Sequence, residues 1–146
     1  YVTIDGAESK ISFNENDFDF EIEGSLIELL GDNKQVVLIE PLDYIDFIST
    51  LKECYLVLTD SGGIQEEAIA LGKPVLILRE TTERQEAVEA GGAKLIGNSF
   101  SKIVREVELL LEEGKDYESM CNARNPFGDG YASERIVKNC INFLKN

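Results

Sequence analysis

The chain has 146 residues, of which 43% are hydrophobic and 29% are charged, a globular composition that excludes a disordered or collagen-like chain. Its length is that of one ordinary domain, or of one half of a two-domain enzyme. The net charge of −14 repels phosphate groups, which argues against nucleic acid and anionic membranes as partners.

The first 28 residues form a strongly acidic segment that carries −7 of the net charge. Within it, Phe18, Phe20 and Ile22 alternate with acidic residues at period two, after a turn-like segment at residues 14–16. This alternation predicts an acidic β-hairpin over residues 1–28, with one apolar face and one solvated face. A cation site built from the carboxylates is the alternative, but no ligand loop closes around them.

From about residue 34 the sequence alternates between short apolar runs and amphipathic segments. The apolar runs predict buried strands at residues 36–39, 55–59, 74–78 and 93–96. The amphipathic segments predict helices that begin at Asp43, at residues 64, 83, 99 to 101, 115 and 132. Ile45, Ile48 and Leu51 are expected on the apolar face of the first of these. Repeated βα units imply an α/β fold with a parallel sheet, over residues 29–146.

The three cysteines, Cys54, Cys121 and Cys140, lie in apolar helical patterns and are odd in number. We interpret them as reduced and buried, which predicts a cytoplasmic protein. The sequence has no histidine, so neither a zinc site nor a Ser-His-Asp or Cys-His catalytic apparatus is expected within the chain. No apolar run approaches the roughly 18–20 residues of a membrane span, so no membrane association is expected.

The segment after the second predicted strand is the most informative part of the sequence. Ser61, Gly62 and Gly63 lie where that strand ends and a helix begins. Free backbone N–H groups at a helix start, with two glycines removing side-chain obstruction, form a cradle for an anion. Open α/β sheets also bind ligands at the carboxyl ends of their strands. The alternative is an ordinary strand-to-helix turn with a serine cap.

Arg84 follows the next strand, beside the first segment, and could face a phosphate as a charge-assisted donor. The alternative is a surface arginine that pairs with Glu80 or Glu83.

Four segments carry recognisable motifs: residues 60–67 have the sequence DSGGIQEE, residues 72–76 GKPVL, residues 81–91 TTERQEAVEAG, and residues 125–130 NPFGDG. In order and spacing they resemble the carboxyl-terminal half of the non-hydrolysing UDP-N-acetylglucosamine 2-epimerases. Residues 40–44 fit as well, and the resemblance covers residues 29–146. It implies one of two facing Rossmann-like domains of the glycosyltransferase-B type, with a UDP-sugar in the cleft between them.

The resemblance also implies which residues bind the nucleotide. Ser61, Gly62 and Gly63 would hold the diphosphate. No cofactor and no metal is implied.

Three further contacts are implied in the same way. Glu67 would accept hydrogen bonds from the ribose hydroxyls, Arg84 would lie against the nucleotide, and the backbone near Phe47 would contact the uracil edge.

Catalytic residues are not assigned, because the acid/base carboxylates of that family come from its amino-terminal domain and its phosphate-facing histidine has no counterpart in this sequence. Epimerisation needs groups that move a proton at C2. Three hypotheses follow: a UDP-sugar-binding half-domain that is inactive alone, a subunit of a split UDP-sugar glycosyltransferase, and a non-catalytic assembly domain.

The last predicted helix has an apolar face wider than a short sheet covers, formed by Ile136, Val137, Cys140, Ile141 and residues 143–144. An exposed apolar patch of this kind marks an interface. We therefore expect a homodimer or a separate amino-terminal-domain partner. The alternative is that the hairpin and this helix cover each other within one chain.

Overall fold

The computed structural model of the protein describes residues 2–4, 33–37, 39–112 and 114–145. Apart from Val2–Ile4, the predicted acidic hairpin lies outside these residues.

In the described part of the chain one mixed sheet forms the centre of the fold. Its strands lie in the order β1 to β4 and are β1 Val2–Ile4, β2 Leu56–Thr59, β3 Val75–Ile77 and β4 Ala93–Leu95. Strands β2, β3 and β4 run parallel, whereas β1 pairs antiparallel with the free edge of β2. The predicted α/β fold with a parallel sheet flanked by helices is confirmed.

The strand predicted at residues 36–39 is wrong for the three of its residues that the structure describes. Val36, Val37 and Ile39 are irregular, and Val37 is 41% exposed. The edge of β2 that a further parallel strand would join is occupied by β1, where Val2 lies opposite Leu58. An apolar run indicates a preference for burial, but it does not identify the partner strand.

The described residues form six helices, and all six lie where the sequence predicts them. They are α1 Tyr44–Glu53, α2 Gly62–Ala70, α3 Gln85–Glu89, α4 Phe100–Leu111, α5 Lys115–Cys121 and α6 Ala132–Leu144.

Helix ends follow from local chemistry. The Asp43 carboxylate accepts the Asp46 N–H at 3.0 Å and caps α1. Gly72 ends α2 with φ of 69°, a left-handed conformation that favours glycine. The predicted apolar face of α1 is only partly correct, because Leu51 is buried whereas Ile45 is 75% exposed.

The core consists of two apolar clusters, one on each face of the sheet. Successive strand residues point to opposite faces, so Val57 joins one cluster while Leu56 and Leu58 join the other. The first cluster packs under α1, α2 and α3, and includes Ile64 of α2. The second packs against α4 through Leu110. The result is a three-layer α/β/α arrangement.

A stacked pair of tyrosines closes the second cluster. The rings of Tyr55 and Tyr117 lie 4.0 Å apart between centroids, at an interplanar angle of 11°. The Tyr117 hydroxyl donates to the backbone oxygen of Tyr55 at 3.1 Å, and the Tyr55 hydroxyl donates to that of Leu110 at 3.1 Å. Burial raises the pKa of Tyr117, and a hydrogen bond with Cys121 raises it further.

Helix α6 exposes its apolar face. No residue of α6 is buried, and Phe143 and Leu144 are each 82% exposed. The prediction that all three cysteines are buried is therefore wrong. Cys54 is buried, Cys121 is half-buried and Cys140, on α6, is exposed. Within the described residues, no helix has the length and apolarity needed to cross a membrane.

Candidate functional site

The candidate site lies at the carboxyl ends of β2 and β3, where the loops after both strands meet the start of α2. Ser61 precedes α2 in an extended conformation, with φ of −80° and ψ of 128°. Its backbone N–H donates to the hydroxyl of Thr59 at 3.0 Å, which fixes the chain as it leaves the strand. In the described part of the chain, the Ser61 side chain makes no capping hydrogen bond to α2.

Helix α2 begins with the two glycines, Gly62 and Gly63. The N–H groups of a first helical turn have no partner within the helix. A Cβ atom built at Gly62 would lie 2.6 Å from Glu83 Oε1 and 3.9 Å from Arg84 Cζ, so both side chains lie over this glycine. The structure therefore brings Gly62 and Arg84 together, as the sequence predicts for an anion site.

Arg84 makes an ion pair with Glu66, in which its Nε donates to Oε1. This hydrogen bond is the main cause of a raised pKa for the Arg84 guanidinium. The pairing with Glu80 or Glu83 that the sequence offered as an alternative is wrong: Glu83 pairs with Arg79 at 3.3 Å instead. Two carboxylates, those of Glu66 and Glu83, therefore lie near Arg84 at the start of α2.

Glu67 lies on α2, half-buried, next to the Glu66 that pairs with Arg84. Partial burial raises the pKa of the Glu67 carboxyl, and the neighbouring charge of Glu66 raises it further.

Phe47 lies on α1 and packs against the first core cluster, the one that contains Ile64 of α2. Its backbone N–H donates to the backbone oxygen of Asp43 at 2.9 Å, within the helix.

Two buried residues beside the site were missed by the sequence analysis. The side chains of Gln65 and Thr82 form a hydrogen bond of 2.9 Å, and their residues are 0% and 6% exposed. A signal for Gln65 exists in the sequence, because it precedes Ile69 by four residues and shares its helical face. Thr82 has no comparable signal, since it lies in a loop.

The motif at residues 125–130 forms a turn before α6. Asn125 Oδ1 accepts the Phe127 N–H at 3.0 Å, and Phe127 packs against the first core cluster. Asp129 accepts the Tyr131 N–H at 3.1 Å and pairs with Arg135, which lowers the pKa of the Asp129 carboxyl. These contacts are local, and they agree with a turn that leads into a helix.

The arrangement at α2 suits the binding of an anion: bare backbone at a helix start, a hydroxyl at Ser61 and a guanidinium at Arg84. Among the described residues, no group of three or more His, Cys, Asp or Glu side chains is placed to hold a metal ion.

A sequence profile described as UDP-N-acetylglucosamine 2-epimerase matches residues 17–140 of the chain. The UDP-N-acetylglucosamine 2-epimerase of Escherichia coli (strain K12) is 51% identical to it over 110 residues. That alignment covers 75% of this chain and 29% of the relative, so the chain spans less than a third of the relative's length.

Solved structures agree with the sequence comparison. The UDP-GlcNAc 2-epimerase from Neisseria meningitidis, bound to UDP-GlcNAc, aligns with 86% of this chain and 33% of its own length, with a TM-score of 0.76 and 46% identity. The UDP-GlcNAc 2-epimerase from Methanocaldococcus jannaschii, in complex with UDP-GlcNAc and UDP, aligns with 80% of this chain and 31% of its own length. Its TM-score is 0.67 and its identity 41%. The resemblance found in the motifs is confirmed.

Proposed function

Because the chain belongs to the UDP-N-acetylglucosamine 2-epimerase family, we propose that residues 29–146 form a UDP-sugar-binding domain whose site lies at the start of α2. One observation carries the proposal: the guanidinium carbon of Arg84 lies 3.9 Å from the Cβ position of Gly62. A positive charge thus lies beside a helix start that carries no side chain at its first residue, which is the chemistry that a diphosphate requires.

The diphosphate binds, in this proposal, to the hydroxyl of Ser61 and to the backbone N–H groups of Gly62 and Gly63. These groups are donors, and the helix dipole adds a partial positive charge at the same point. Arg84 releases Glu66 and turns its guanidinium to the nucleotide.

Glu67 accepts the ribose hydroxyls, and the backbone near Phe47 contacts the uracil edge. A half-buried Glu67 supports the first role, because it can accept hydrogen bonds at a site that water reaches only in part.

We propose that the 146-residue chain does not epimerise UDP-N-acetylglucosamine by itself. The reason is chemical. Removing and returning a proton at C2 requires positioned acid and base groups, and the sequence supplies no histidine for this task. A coupled assay or NMR that detects UDP-N-acetylmannosamine made by this chain would contradict the proposal.

Titration of the chain with UDP and with UDP-N-acetylglucosamine, followed by calorimetry, tests the binding function. Heat that saturates with either ligand supports a nucleotide-sugar site, whereas no binding at millimolar ligand favours the non-catalytic assembly domain. The split glycosyltransferase alternative predicts binding too. It is distinguished by the appearance of glycosyl transfer when a separate amino-terminal partner is added.

We also propose that the chain is not a monomer. The exposed apolar face of α6, with Ile136 62% and Val137 56% accessible, supports an interface on this helix. A homodimer or a separate amino-terminal-domain partner would cover it. An exposed cysteine, Cys140, supports a cytoplasmic location, where thiols stay reduced.

A further inference from the structure

A buried hydrogen-bond relay joins α2 to the loop that carries Arg84. The Thr82 hydroxyl donates to Gln65 Oε1 at 2.9 Å. The same hydroxyl oxygen accepts the backbone N–H of Arg84 at 3.0 Å. One side chain therefore connects the helix of the candidate anion site to the backbone of its charged residue.

The relay retains polar groups where apolar ones would pack without penalty. Gln65 is 0% exposed, and its Nε2 has no hydrogen-bond partner among the described residues. A buried amide that uses only its oxygen lowers stability relative to an apolar side chain of the same size. Its presence here is explained by the group that the oxygen holds, which is Thr82.

Arg84 is attached to α2 twice, and the two attachments differ in exposure. Its backbone is held through Thr82 and Gln65, both buried. Its side chain is held by Glu66, in a pair whose side chains are 33% and 39% exposed. A ligand that arrives from solvent reaches the second attachment and leaves the first in place.

We infer that Thr82 is a positioning residue, whose hydroxyl fixes the backbone of Arg84 to α2 so that the guanidinium can exchange Glu66 for a phosphate without movement of the loop. The inference rests on the proposed UDP function and deepens it. Affinity then depends on a residue that the ligand does not touch.

The variant Thr82→Val keeps the shape of the side chain and removes the hydroxyl, whereas Thr82→Ser keeps the hydroxyl. We expect the first to weaken UDP binding about tenfold, as for one lost hydrogen bond to a buried group, and the second to stay within about twofold of wild type. Thr81→Val is the matched control, because Thr81 is the exposed neighbour. Wild-type affinity in Thr82→Val would overturn the inference.

A double-mutant cycle separates positioning from a general structural role. If Thr82 acts through Arg84, Thr82→Val weakens binding no further once Arg84→Ala is present. An equal loss in both backgrounds would overturn the inference. Should Thr82→Val not fold, Gln65→Met removes the same anchor from the other side and is measured in its place.

A second measurement needs no ligand. The Arg84 amide donates to Thr82, so its hydrogen exchange by NMR is expected to accelerate about tenfold or more in Thr82→Val and to recover in Thr82→Ser. Unchanged exchange would overturn the inference, whatever UDP does. Absence of UDP binding by the wild type would instead overturn the proposed function, and the exchange result would still decide whether Thr82 fixes the backbone of Arg84.

Discussion

Glu83 lies over Gly62 so closely that a Cβ atom at this glycine would approach Glu83 Oε1 to 2.6 Å. Gly63 has open space instead, with no described atom within 4 Å of its Cβ position. The Glu83 side chain is 54% exposed and flexible, so it can move aside. A phosphate that bound at this helix start, as we propose, would therefore have to displace the Glu83 carboxylate.

Substitution of Gly62 tests this space. We expect Gly62→Val to lower UDP affinity about tenfold or more, because the side chain blocks the approach of phosphate to the backbone. Calorimetry measures the affinity. Thermal unfolding of the same variant is the control. A wild-type Tm together with a lower UDP affinity shows that the substitution affects binding and not folding. Wild-type affinity for UDP in Gly62→Val would show that the diphosphate does not bind at this helix start.

Arg84→Ala is expected to weaken UDP binding by about 1.5–3 kcal/mol, the range for a hydrogen bond to a charged group. That corresponds to roughly a tenfold to hundredfold higher Kd. Arg105→Ala, on the exposed side of α4, removes the same charge elsewhere and is expected to bind as the wild type does. Equal affinities in the two variants would show that Arg84 does not contact the nucleotide.

The raised pKa of the Glu67 carboxyl predicts that the stability of the fold depends on pH. Burial and Glu66 raise the pKa of its carboxyl, so the folded protein holds this proton more tightly than the unfolded chain. Ionised Glu67 therefore destabilises the fold above that pKa, and the penalty disappears below the pKa of the unfolded chain. We expect Glu67→Gln to raise Tm at pH 7 and to lose this gain at about pH 4.

The exposed Glu89→Gln is the matched control for Glu67→Gln in the same thermal melts. A gain in Tm that persists unchanged at low pH would contradict the assignment. The same Glu67→Gln protein is expected to bind UDP more weakly, because a neutral amide accepts ribose hydroxyls less strongly than a carboxylate.

The net charge of −14 opposes the approach of UDP to the proposed site. Screening weakens this repulsion, so we expect UDP to bind more tightly at about 150 mM salt than at about 20 mM, and tighter still with Mg²⁺. Uridine, which carries no phosphate, is the control and is expected to show no such change. Weaker UDP binding at higher salt would mean that local attraction by Arg84 outweighs the global field.

The exposed apolar face of α6 predicts that the chain forms a homodimer. Sedimentation equilibrium at micromolar concentration is expected to give twice the chain mass of 16.3 kDa. Val137→Asp, on the exposed apolar face, is expected to give the monomer mass and still to fold, because no residue of α6 is buried within the single chain. Asn139→Asp adds the same charge at a polar position and is expected to remain dimeric. A wild type of 16.3 kDa would contradict the dimer.

The sequence predicts local features of the fold well, because they depend on neighbours along the chain. The cap at Asp43 and the left-handed Gly72 lie where side-chain chemistry and helix periodicity place them. The sequence also brings Gly62 and Arg84 to one edge, since parallel strands end on the same side of a sheet.

Pairings across the fold could not be predicted. Arg84 pairs with Glu66, 18 residues away, although carboxylates at residues 80 and 83 lie much nearer in sequence. Thr82 bonds to Gln65 across 17 residues. Both pairings depend on how the loop after β3 packs against α2. The irregular backbone at Val36, Val37 and Ile39 has the same origin, since the competing β1 belongs to a distant part of the chain.

The stacked rings of Tyr55 and Tyr117 provide an intrinsic spectroscopic signal. The chain has no tryptophan, five tyrosines and seven phenylalanines, so tyrosine dominates its intrinsic fluorescence and the long-wavelength part of its near-ultraviolet circular dichroism. Two rings 4.0 Å apart and nearly parallel couple their transitions. The docking of α5 beside the start of β2 can therefore be followed in the unmodified protein as a dichroic band while temperature is raised.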